Sequence, residues 1–145
     1  MNDKLMKFDD YIKMQQQGDA KPKRHLSDEE HRIQCACVRW FAYQYPHLTG
    51  RLFAVPNGGG RSKVDAARLK AEGVVAGVSD LILLKPNRRH HALCIEMKKP
   101  GSASRQSDRQ KAWEVNVTQD DEYRYIVCRS LDDFMREVNQ YLTDI

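Results

Sequence analysis

The chain has 145 residues, 41% of them hydrophobic, which is enough for one ordinary core and excludes wholesale disorder. Its net charge of +4 is mild but unevenly spread. Twelve Lys/Arg against five acids between Arg61 and Lys111 give that span +7, so the remainder carries −3, and a basic centre of this kind suits a polyanion.

Residues 1–25 are polar and predict an arm or linker ahead of a single domain over 26–145. A helix start follows at Ser27-Asp28-Glu29-Glu30, where Ser27 and Glu30 have capping-box spacing. Ile33, Cys37, Trp40 and Phe41 then recur at helical intervals to about Tyr45. RLFAV (51–55) predicts a short strand, closed by the glycine-rich PNGGG (56–60). Lys63–Glu72 predicts a helix stopped by Gly73. Ser79–Lys85 and His91–Lys98 predict two strands joined by PNRRH (86–90) as a hairpin, with His90 and His91 exposed near the turn. Gln106–Val117 predicts a helix with Trp113 in the core, and YRYIVC (123–128) a strand. A last helix from Ser130 presents Leu131, Phe134, Met135, Val138 and Leu142 as its apolar face. The order α-β-α-β-β-α-β-α predicts an α/β fold, a mixed sheet covered on both faces.

Four cysteines (35, 37, 94 and 128) have no zinc-site spacing, and Cys94 and Cys128 fit as small core residues. No signal peptide or membrane-length apolar run is visible, which predicts a cytosolic, reduced protein that does not engage a membrane.

The chemistry concentrates in CIEMKKP (94–100). Alternation puts Glu96 and Lys98 on one face of the strand and Ile95 and Met97 on the other. Asp80 opens the partner strand, so a hairpin brings Asp80, Glu96 and Lys98 to one sheet edge. Two carboxylates there form the hard oxygen site that Mg²⁺ or Mn²⁺ prefers, with the Met97 carbonyl as a further ligand. Such an ion orients a phosphodiester and activates water, and Lys98 adds positive charge beside it. The plain alternative for D-x15-E-x-K is a surface salt bridge. Glu30 and Gln34 share a helix face and point inward, though Glu30 also serves as a cap. Gln110, one turn from Trp113, can hold water or phosphate beside Lys98; its plain alternative is a solvated glutamine. Glycines 58–60 allow close approach of a phosphate chain but lack the spacing of a nucleoside-triphosphate loop.

In order and spacing, Glu30-x-x-x-Gln34, VPNGGGR (55–61), GVVAGVSDL (73–81), IEMK (95–98) and Ser107-x-x-Gln110-x-x-Trp113 resemble the VRR-NUC domain. This is the virus-type replication-repair branch of the PD-(D/E)XK nucleases. The resemblance covers about residues 27–130. It departs from the family pattern at Ser79, where proline is usual. It implies a restriction-endonuclease-like mixed sheet flanked by helices. It also implies metal ligation by Asp80, Glu96 and the Met97 carbonyl, with Glu30 direct or through water. Lys98 becomes the catalytic lysine, and Gln34 and Gln110 become supporting polar residues. Related domains occur in the Fanconi-associated nuclease. With no second domain visible, the closer comparison is with stand-alone homodimeric phage or bacterial enzymes that cut branched or flapped DNA. Residues placed to contact DNA are Asn57, Gly58, Arg61, Lys63, Gln34, Lys99, Arg105 and Arg109. Two other functions fit the same residues: a branched nucleic-acid-binding module that does not cut, and a sequence-specific restriction-type endonuclease.

Overall fold

In a computed structural model, described over residues 28–56, 62–101 and 105–145, the run ALCIEM becomes the central strand of a four-stranded sheet. The N-terminal arm, Ser27, and the glycine-rich loop with Asn57, Gly58 and Arg61 lie outside the described residues. In chain order the elements are α1 (Asp28–Gln44), a 3-10 turn (Pro46–Leu48), β1 (Leu52–Ala54), α2 (Lys63–Ala71), β2 (Leu81–Leu83), β3 (Ala92–Met97), α3 (Asp108–Thr118), β4 (Tyr123–Cys128) and α4 (Leu131–Thr143). This is the predicted order, with strands trimmed where their last residues enter turns.

The sheet order is β1-β2-β3-β4. β1 and β2 pair antiparallel, β2 and β3 antiparallel through the hairpin, and β3 and β4 parallel across the α3 crossover. Leu81 lies opposite Ile95 and Leu83 opposite Leu93. Asp80 and Glu96 therefore sit at the end of the hairpin away from its turn.

Alternation along β3 divides its side chains between two layers. Leu93, Ile95 and Met97 enter the core with Leu81, Leu83 and Cys128, roofed by α1 through Cys37 and Phe41 and by α4 through Phe134 and Val138. Phe134 is fully buried and meets Trp40 edge-on at 5.9 Å. Burying a side chain of this class stabilises the fold by about 1.5–3 kcal/mol. α4 begins where Ser130 accepts the Asp133 amide, a cap of about 1 kcal/mol. The opposite face receives Cys94 and Glu96 and is covered by α3.

Several expectations need correction. His90 is buried, because Tyr141 Oη donates to its carbonyl and Asp121 reaches its ring at 3.1 Å. Trp113 is only half-buried: it packs on Tyr125 on the α3 side rather than in the core. On α4 the buried face includes Tyr141, whereas Leu131 and Met135 are half-buried at its margin. α2 has no buried residue. It ends in a Schellman motif, in which Gly73 N bonds Lys70 O and Val74 N bonds Leu69 O around a Gly73 φ of +101°. Among the described residues no helix is long and apolar enough to cross a membrane.

Candidate active site

Asp80 precedes β2, and its carbonyl accepts from Val55 N at 2.9 Å, so sheet pairing to β1 continues through it. Ser79, in the place where proline is usual, is fully buried and donates its hydroxyl to Leu81 O at 3.1 Å. This local bond fixes the turn into β2 without a proline ring. The Asp80 side chain then crosses to β3, where Met97 N donates to Oδ2 at 2.7 Å. The Met97 amide thus aims the first acid at the strand that carries the second.

Glu96 is 1% exposed. Its Oε1 is 3.4 Å from Lys98 Nζ and accepts from Gln110 Nε2 at 2.5 Å. Its Oε2 is buried with no hydrogen-bond donor. Burial, then the neighbouring Asp80 charge, pushes the Glu96 carboxyl up to about 8, against the pull of Lys98. Burial also raises Asp80, opposed first by the Met97 amide. Burial and mutual repulsion therefore press this pair to take up a proton, or a cation, that relieves the two adjacent charges.

Lys98 Nζ donates to Gln110 Oε1 at 3.2 Å, so Gln110 bridges the cation and the acid. Gln110 is therefore part of the constellation rather than a solvated glutamine. Glu30 Oε1 accepts from Lys99 N at 3.1 Å, and its charge reaches Asp80. Gln34, one turn further, is half-buried and takes part in none of these bonds. Arg129 ties the same segment from the other side, donating to Lys99 O at 3.2 Å and Gly101 O at 3.1 Å. Lys63, Lys99, Arg105 and Arg109 are exposed.

Burying two acids side by side with one oxygen unpartnered is costly unless a proton or a cation lies between them. Among the described residues no group of three or more His, Cys, Asp or Glu comes together to hold a metal ion. The donor set available to a cation here would be the carboxylates of Asp80 and Glu96. It suits an ion such as Mg²⁺, which completes its shell with water and phosphate oxygen, and not an ion that needs an all-protein cage.

Two neighbours were not singled out in the sequence. Gln106 Nε2 donates to Tyr125 Oη at 3.0 Å and to Glu114 at 2.9 Å. Burial, then the Glu96 charge, pushes the Tyr125 phenol upward. The signal available was strand parity, since Tyr125 lies opposite Cys94 and two residues before the partner of Glu96. The basic span is also divided. Arg88 bonds the C-terminal residues Asp144 and Ile145 at the hairpin turn, the far end of the sheet from Lys98. A 470 Å³ cavity opens at that far end, lined in part by Arg89, His90, Arg124 and Tyr141, and shares no residue with the carboxylates.

The VRR-NUC domain model matches residues 28–132. A solved structure described as a VRR_NUC domain protein superposes with a TM-score of 0.67 at 26% identity, covering 84% of this chain and 93% of that one. No curated protein matches. With both acids, the lysine and the bridging glutamine inside the matched span, the chain belongs to the VRR-NUC family of nuclease domains.

Proposed function

We propose that the protein is a Mg²⁺- or Mn²⁺-dependent DNA endonuclease selective for branched or flapped DNA. The observation that carries the proposal is the unpartnered Oε2 of Glu96, buried beside Asp80 and across from Lys98. Asp80, Glu96 and the Met97 carbonyl would hold the ion, with Glu30 reaching it directly or through water. When bound, the ion would supply Lewis acidity toward a phosphate oxygen and toward the attacking water.

The chain's own residues do the rest. Hydrolysis joins the water oxygen to phosphorus, breaks the bond from phosphorus to the sugar oxygen, and passes a proton to the departing side. Negative charge builds on the phosphate meanwhile, and Lys98 opposes it from the Glu96 face. Gln110 keeps Lys98 and Glu96 in register. Lys63, Lys99, Arg105 and Arg109 supply phosphate contacts, which position DNA without reading its sequence. Gln34, Asn57, Gly58 and Arg61 complete the proposed DNA contacts. The stand-alone family members that the chain resembles support a homodimer, two sites for two strands, acting in the cytoplasm of a bacterial or phage-infected cell.

Duplex, flap and four-way-junction DNA are incubated with Mg²⁺, Mn²⁺ or EDTA, beside Asp80→Ala and Lys98→Ala. Metal-dependent cutting of flap or junction, abolished in both variants, is expected. Cutting that survives both substitutions rejects the site. Binding without cutting supports the non-cleaving module, and cutting of plain duplex at one motif supports the restriction-type enzyme.

A further inference from the structure

The loop that delivers Asp80 touches the first turn of α3 where there is no room for a side chain. Gly77 has φ +87°, and a Cβ there would lie 2.4 Å from Arg109 O and 2.9 Å from Gln110 N. Both are backbone atoms, so no rotamer change relieves the clash; the helix itself would have to move. Gly73, in the same loop, has φ +101° but nothing within 4 Å of a Cβ. The two glycines share a positive φ that would strain any added side chain, and only Gly77 is also in contact with the helix.

The Gly77 contact and the Ser107 hydroxyl set where the Gln110 backbone starts, and the Ser107 backbone amide helps set where its side chain ends. Ser107 Oγ accepts from Gln110 N at 3.2 Å, while Gln110 Oε1 accepts from Ser107 N at 2.8 Å. This is a reciprocal capping box. Ser107 N–H and Lys98 Nζ can only donate, so the oxygen of the Gln110 amide must face them. Its nitrogen is then committed to Glu96 Oε1, and Oε2 is the carboxylate oxygen left without a donor.

We propose that Gly77 and Ser107 are positioning residues for the cation site. They hold the Gln110 amide in the one orientation that orients the Glu96 carboxylate, without forming part of the ligand set. The proposal rests on Asp80 and Glu96 being cation ligands.

Mn²⁺ binding to the whole chain is measured by titration calorimetry for wild type, Gly73→Ala, Gly77→Ala, Ser107→Ala and Ser107→Thr. Melting temperatures and the Gln110 side-chain amide resonances are recorded for each. Both glycine variants should melt lower. Gly77→Ala and Ser107→Ala should bind Mn²⁺ about 10-fold or more weakly, the usual effect of losing a group that orients a metal ligand. Gly73→Ala and Ser107→Thr should bind like wild type. The Gln110 side-chain resonances should shift in Gly77→Ala and Ser107→Ala and stay in place in Gly73→Ala and Ser107→Thr. Wild-type Mn²⁺ affinity in both of those variants overturns the proposal, leaving the cap and the glycine as purely structural. Should Gly77→Ala fail to fold, the Ser107 pair decides. Mn²⁺ binding by wild type without cleavage of any DNA rejects the nuclease activity and leaves the positioning role standing. If wild type binds no Mn²⁺, the cation site and the proposal resting on it both fall.

Discussion

The Asp80 carboxylate is held by the backbone amide of Met97, at 2.7 Å, across the mouth of the hairpin. One strand's peptide group therefore aims the other strand's acid, and Glu96, the residue before Met97, is brought against it. The two acids are neighbours because a backbone bond makes them so, and the cost shows in Glu96, whose carboxyl is pushed up to about 8 by burial first and by the Asp80 charge second.

That cost has a sign. Burial and the Asp80 charge raise the Glu96 carboxyl in the folded protein above its value in the unfolded chain, so without a metal ion folding takes up a proton at a pH between the two values. Its stabilising contribution is fully present below about pH 4.5, declines as pH rises, and is gone above about 8. Urea denaturation in EDTA should show stability falling by on the order of a few kcal/mol between pH 5.5 and 8. Added Mn²⁺ should reverse most of the loss at pH 8. A flat profile in EDTA would contradict the burial of two adjacent acids.

Glu96→Gln keeps the shape of the side chain and removes the charge. At pH 8 in EDTA it should melt higher than wild type, and the pH slope should flatten. It should also lose Mn²⁺ binding and at least about 100-fold in cleavage rate, since an essential charged ligand is gone. Melting curves and single-turnover cleavage check the two halves separately.

Lys98 is 12% exposed on its side chain and paired to both Glu96 and Gln110. Lys98→Met retains the aliphatic stem and removes the cation. Cleavage should fall by about 10²–10³-fold, the scale for removing one transition-state stabiliser. DNA affinity should change far less. A loss confined to affinity would reassign Lys98 as a phosphate anchor.

Glu30 serves either through its charge or as the acceptor for the Lys99 amide. Glu30→Gln keeps an acceptor and Glu30→Ala does not. If the charge matters at the ion, both variants should lose cleavage. Activity retained in Glu30→Gln and lost in Glu30→Ala would make Glu30 a brace for the Lys98-Lys99 segment.

The exposed cations near the carboxylate end should each carry part of the salt dependence of DNA binding. Single Ala substitutions at Lys99, Arg105 or Arg109 should reduce the slope of log K against log salt by roughly 1 per lost phosphate contact. Arg88→Ala, at the far end of the sheet, should leave it unchanged. Fluorescence anisotropy across a salt series distinguishes the two groups, and an effect of Arg88 equal to that of Arg109 would place the DNA path elsewhere.

Much of the fold was legible because its signals are local. Alternation in CIEMKKP separated Glu96 and Lys98 from Ile95 and Met97, and the core indeed takes Ile95 and Met97. Ser130 was visible as a start for α4 because an N-cap needs only its own next turn. His90 was misjudged, because its burial comes from Tyr141 and Asp121, residues 51 and 31 positions away. Trp113 was misplaced for a similar reason: its partner, Tyr125, lies on the opposite sheet face from the core.

The residues alone determined the element order, the hairpin and the pairing of Asp80 with Glu96, since period-two alternation and turn chemistry act over a few residues. Tertiary structure alone decided which of two chemically equivalent glutamate oxygens is left unpartnered. It decided that one glutamine bridges lysine and acid, and that a glycine at 77 must remain bare. It also split a basic run continuous in sequence between two ends of a sheet. Those outcomes depend on where separate elements come to rest against each other, a relation that no local pattern of residues encodes.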